Sequence, residues 1–107
     1  MMTLYRRRRW IALCLYMVLP FGSAWANAQV FMDQGCLNCH GNPPRGKAPT
    51  LEKLVAQYAP LRDQPDALQR KADKLREHAF IGGIAAHERL TPEQSLTLLR
   101  WIADGGR

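Results

Sequence analysis

Apolar residues recur at helical spacing in several stretches of this chain, and no segment shows the alternation or β-branched enrichment of a strand. Leu51, Leu54, Val55 and Tyr58 lie on one helical face, with Thr50 placed to cap the start and Pro60 to stop it. A second helix is expected to begin near Pro65, since proline suits a first turn, and to carry Leu68, Ala72, Leu75 and Ala79 on one face. Arg70, Lys71, Asp73, Lys74 and Glu77 fall elsewhere and read as a solvated surface. Thr91-Pro92-Glu93-Gln94 is a strong helix start, with threonine at the cap and glutamine three residues on, as a capping box requires. That helix runs to about Ala103 and stops at Gly105-Gly106, with Leu98, Trp101 and Ile102 inward and Glu93, Thr97, Arg100 and Asp104 outward. Val30 and Phe31 suit a short helix docked on something else, Gly35 allows close backbone approach, and residues 41–49 read as a loop rich in proline and glycine. Gly82-Gly83 opens an irregular stretch that runs through His87 to Leu90. The pattern predicts an all-α domain.

Charge changes the picture at one end. Arg6, Arg7, Arg8 and Arg9 stand directly before an apolar run over residues 10–21, the arrangement of a secretory signal peptide. Pro20 ends the run, and Ala24-Trp25-Ala26 and Ala26-Asn27-Ala28 offer cleavage sites, so cleavage is expected after Ala28 or after Ala26. The domain boundaries that follow are 1–28 for the signal and 29–107 for the mature domain. An uncleaved anchor is the alternative, although the run is short for a span of about 20 residues. The whole chain carries a net charge of +6, but removing the signal leaves eleven basic against nine acidic residues, a net charge of +2. Nucleic-acid binding, which needs clustered Lys and Arg on the folded domain, loses its support.

The cysteines carry the candidate chemistry. Cys14 lies in the apolar core of the signal, after bulky Leu13, and is a poor lipoprotein acceptor. The other two belong to Cys36-Leu37-Asn38-Cys39-His40, the attachment signature of a c-type haem. Two thiols that add to the two vinyl groups of one porphyrin must leave the same short turn, and the next side chain can then set an imidazole nitrogen on the iron. Half of a zinc site completed by His40 with His78 or His87, or a thioredoxin-like redox pair, are the competing readings; the latter needs a βαβ context that is missing. Pro49 is the candidate to accept a hydrogen bond from the other nitrogen of His40, a contact that would fix the ring and raise its basicity. With both cysteines consumed, 79 residues would have no disulfide, and buried haem becomes the main source of core.

The chain resembles the class I, monohaem bacterial cytochromes c over its whole mature segment. The matching residues are Phe31 five before Cys36, Gly35, the run from Cys36 to Gly41, Ala48-Pro49-Thr50-Leu51 and the last helix with Trp101. The resemblance implies a cytochrome c-like fold, a small helical bundle wrapped around one covalently attached haem, with terminal helices crossing near Gly35 and Trp101. It implies that Cys36 and Cys39 carry the thioethers and that His40 is the proximal ligand. One departure is clear: the family's usual distal methionine is missing. The methionines are Met1, Met2, Met17 and Met32; three lie in the expected signal, and Met32, before the motif, reads as core packing.

Two histidines remain for the sixth position, and neutral imidazole is a good iron ligand. His87 falls where the family's methionine loop would lie, so it is the expected ligand. His78, expected in the last turn of the preceding helix, is the alternative, and its structural role there would be a cation at the helix C-terminus. An unfilled position is the remaining possibility. Two histidines predict a low-spin, low-potential haem, because axial methionine raises the potential. The leading expectation is a periplasmic one-electron carrier, not an enzyme, with protein redox partners as donor and acceptor. Arg45 and Lys47 beside the motif read either as modest steering toward an acidic partner or as solvated loop charges. The alternatives are a small-gas-binding, sensing or catalytic haem protein with a labile distal histidine, and a cytochrome subunit of a dehydrogenase complex.

Overall fold

Six helices follow one another without a strand among the described residues, 23–107 of a computed structural model, with side chains described from residue 27. The basic cluster, the apolar run and Cys14 of the expected signal lie outside those residues. The helices are α1 (Ser23–Asp33), α2 (Leu37–His40), α3 (Leu51–Tyr58), α4 (Pro65–Leu75), α5 (Ala85–Glu88) and α6 (Pro92–Ala103), with a 3₁₀ turn at Ala59–Leu61. Helix α1 runs through both expected cleavage positions, Ala26 and Ala28.

Helix α6 is the centre of the packing, set against α1, α3 and α4. It starts as its sequence predicts: Thr91 Oγ1 accepts from Gln94 N–H at 3.1 Å, and Gln94 Oε1 accepts from Thr91 N–H at 3.0 Å. It ends where Gly106 N–H donates to the Trp101 carbonyl at 2.9 Å and Gly105 N–H to that of Ile102 at 3.0 Å. Its inward face holds Leu98, Trp101 and Ile102 as expected, and also Ser95, Leu99 and Ala103. Ser95 is tolerated at full burial because its hydroxyl donates to the Pro92 carbonyl at 2.9 Å. Phe31 of α1 meets Trp101 with ring centroids 5.0 Å apart and planes tilted by 43°. Trp101 Nε1–H then reaches the Arg107 carbonyl at 3.1 Å.

Three expectations need correction. Met32 is 57 % exposed, because burying Phe31 turns the adjacent position outward, so it does not pack in the core. Gly35 ends α1 in the left-handed region, φ +70°, and a Cβ there would touch Asn38 rather than the last helix; the terminal helices meet through Phe31 and Trp101. Pro60 ends the α-helix as expected, and the chain then tightens into the 3₁₀ turn that contains it. Helix α4 closes at Leu75, so Ala79 lies beyond it and is exposed. Its last turn tightens, with Arg76 N–H to the Asp73 carbonyl and Glu77 N–H to that of Lys74, each at 3.2 Å. Arg76 Nε also donates to the Leu90 carbonyl at 2.9 Å, which draws the chain off the helical path.

Helix α3 has its expected cap, Thr50 Oγ1 accepting from Lys53 N–H at 3.2 Å, yet none of its residues is fully buried. Leu51, Leu54, Val55 and Tyr58 pack on the core, but Leu54 and Tyr58 also face a large cavity. That cavity positions the site.

Candidate functional site

The cavity has a volume of about 600 Å³, within the range of small-molecule and cofactor sites. Phe31, Leu54, Leu75, Leu98 and Ile102 give it apolar walls drawn from four helices. Cys36, Cys39, His40 and His87 all line it, as do Arg45 and Lys47.

The local chain path explains the cysteine placement. Helix α1 ends in two bonds around Gly35: Gly35 N–H to the Met32 carbonyl at 3.0 Å, and Cys36 N–H to the Phe31 carbonyl at 3.3 Å. Cys36 thereby stands at the N-cap of α2, and its carbonyl accepts from Cys39 N–H at 3.2 Å and His40 N–H at 2.9 Å. Helical spacing of three puts both thiols on one side of that turn. Both are free, and burial, reinforced by the charge of Cys39, pushes the Cys36 thiol up from its ordinary pKa against the lowering effect of its backbone hydrogen bond. Arg45 N–H donates to the Cys39 carbonyl at 2.9 Å and turns residues 41–49 back along the cavity.

That return brings Pro49 to His40. The Nδ1–H of His40 donates to the Pro49 carbonyl at 2.6 Å, the contact expected from the loop composition. A carbonyl can only accept, so the bond assigns the proton to Nδ1 and leaves the Nε2 lone pair for a metal.

Across the cavity stands His87, on the four-residue helix α5. The rings of His40 and His87 have centroids 6.1 Å apart and planes within 6° of parallel. Two imidazoles on opposite sides of one metal ion, with metal–nitrogen distances of about 2.0 Å and ring nitrogens about 1.1 Å from each centroid, would be separated by about 6.2 Å. The observed spacing therefore fits one ion between them. Burial, then the nearby charge of His40, lowers the His87 pKa, which favours the neutral imidazole that a metal requires.

His78 is placed differently. It lies outside α4, not in a last helical turn, its side chain is 80 % exposed, and it does not line the cavity. Its Nδ1 is 3.0 Å from Glu88 Oε2, and Glu88 Oε1 accepts from Ala79 N–H at 3.2 Å. These bonds, His78 first, hold the Glu88 carboxyl below the usual carboxylate range. The signal for Glu88 was absent from the sequence pattern, since its partners are nine and ten residues away across a loop.

The donor set also speaks to zinc. Among the described residues, no group of three or more His, Cys, Asp or Glu side chains is arranged to hold a metal ion. Two opposed imidazoles suit a metal whose other ligands arrive with a planar cofactor, and two free thiols on the same wall suit covalent attachment of that cofactor.

The sequence model of the cytochrome c family matches residues 26–105. No curated protein and no solved structure matches the chain. Proteins of that family carry haem and transfer electrons, and the two cysteines and the histidine that such a haem requires line one apolar cavity here. By the family match over most of its length, this chain belongs to the cytochrome c family.

Proposed function

We propose that this chain is a periplasmic one-electron carrier with a single haem c, held covalently by Cys36 and Cys39 and ligated axially by His40 and His87. The observation that carries the reading is the parallel pair of imidazoles facing one another at 6.1 Å. Attachment adds each S–H across a vinyl double bond: sulfur bonds one carbon, hydrogen goes to the other, and nothing leaves. Bound haem supplies the iron couple that takes and gives one electron. The bond to Pro49 orients His40; Phe31, Leu54, Leu98 and Ile102 would keep water from the haem; and His40 with His87 would hold the iron on both sides. Arg45 and Lys47, on the cavity lining, are placed to pair with the acidic propionates or with an acidic redox partner. His78, exposed and engaged by Glu88, is not a ligand in this reading.

Export fits the same assignment. Residues 1–28 act as a signal peptide and 29–107 form the mature protein, a division supported by the basic cluster, the apolar run and a family match that begins at residue 26. Among the described residues no helix is long and apolar enough to cross a membrane.

Redox potentiometry tests the ligand assignment. The holoprotein is expected to have a potential below that of methionine-ligated family members, and His87→Met is expected to raise it in the same fold. A potential that His87→Met leaves unchanged would count against His87 as the axial ligand.

A further inference from the structure

The helix that carries His87 cannot hold itself in place. Ala85–Glu88 is a single turn, far below the length at which a helix is stable alone. The preceding residues give it no apolar support, because Phe80 is 96 % and Ile81 88 % exposed. Beyond the buried Leu90 that follows it, two polar ties hold this segment. At its base, Arg76 Nε donates to the Leu90 carbonyl at 2.9 Å. Across its middle, Glu88 Oε1 accepts from Ala79 N–H at 3.2 Å and Oε2 contacts His78 Nδ1 at 3.0 Å. Gly83 passes through the same space. A Cβ there would run into Glu88 Oε1 and lie 2.9 Å from the Ala79 carbonyl, so glycine is the residue that lets the carboxylate close on the loop.

We propose that Glu88 is a positioning residue for His87: by bonding Ala79 N–H and His78 it latches residues 78–83 onto α5 and so governs how readily the distal imidazole leaves the iron. The proposal rests on His87 being that ligand. Glu88 is the residue directly after His87, so backbone rotation that frees its carboxylate also swings the imidazole. Loss of the latch leaves α5 tied through Arg76, through the buried Leu90 side chain and through backbone bonds to Ile84, Ala85 and Leu90.

Carbon monoxide binding to the ferrous holoprotein reads the departure of His87. Glu88→Ala is expected to raise the rate roughly three- to tenfold over wild type, the scale set by one or two lost hydrogen bonds. The ferric spectrum is expected to stay low-spin, because His87 still ligates when it returns. Glu88→Gln keeps an acceptor for Ala79 N–H and is expected to restore most of the wild-type rate. His78→Ala removes one bond from an exposed side chain, threatens folding least, and is expected to give a smaller increase in the same direction. Wild-type rates in both Glu88→Ala and His78→Ala, with His87→Ala binding freely, would overturn the latch and leave the ligand assignment standing. A His87→Ala protein that binds no faster than wild type would overturn both.

Discussion

Replacing His87 with alanine is expected to open the iron. The ferric protein should change from six-coordinate low-spin to a high-spin or water-ligated form, and the ferrous protein should bind carbon monoxide in a fast, single-phase reaction. The reason is geometric: among the two histidines after the haem motif, only His87 lines the cavity and faces His40. Its imidazole is half-buried, and that burial lowers its pKa and favours the neutral ring, which has no proton to lose before it binds a metal. His78→Ala is the control, expected to leave the ferric spectrum low-spin, since that ring is 80 % exposed and bonded to Glu88. An unchanged low-spin spectrum in His87→Ala would refute the assignment.

The second large effect concerns folding. Without haem, the protein is expected to lose most of its helical circular dichroism and its cooperative thermal transition. The core is small: among the described residues nine apolar side chains are buried, most of them on α6, and the apolar faces of α1, α3 and α4 look partly into a cavity of about 600 Å³. Without a cofactor these apolar walls are left to water, and the burial that remains is small against the conformational entropy of ordering a domain of this length. Collapse offers no remedy, because Phe31, Leu54 and Leu98 reach the cavity from separate helices that would have to repack together. Cys36→Ser with Cys39→Ser, which removes the thiols that would anchor the cofactor, is expected to give the same loss. A cooperative transition in the haem-free protein would contradict this.

Much of this was legible in the sequence where the signal is local. Cys36, Cys39 and His40 are neighbours along the chain, and a single turn is enough to align them, so no tertiary knowledge is needed to read their purpose. The start of α6 is equally local, because both bonds of its capping box lie within four residues. The bond from His40 to Pro49 spans nine residues, yet a rigid loop between the two leaves few other destinations. The misreadings are tertiary. The end of α4 carries no glycine or proline, and a bond from Arg76 to a carbonyl fourteen residues later decides it. The exposure of Met32 depends on which face of α1 meets Trp101, and a helix whose Val30, Phe31 and Met32 follow one another does not declare that face. Helix α3 shows an apolar stripe whether it meets protein or cofactor, so periodicity could not say that Leu54 and Tyr58 border a cavity. The choice between His87 and His78 was narrowed by order along the chain; their separation into one cavity-facing and one surface ring is a property of the loop that Glu88 holds.

The planes of His40 and His87 lie within 6° of parallel, and this orientation has an electronic consequence. Two parallel imidazoles donate into the same iron d orbital and split it from its partner, whereas perpendicular rings leave the two nearly degenerate. The central claim, that both rings ligate one iron, is therefore tested most directly by electron paramagnetic resonance of the ferric holoprotein in frozen solution. A rhombic low-spin signal with three resolved features is expected. A high-spin signal, showing a vacant or water-filled sixth position, would contradict the claim.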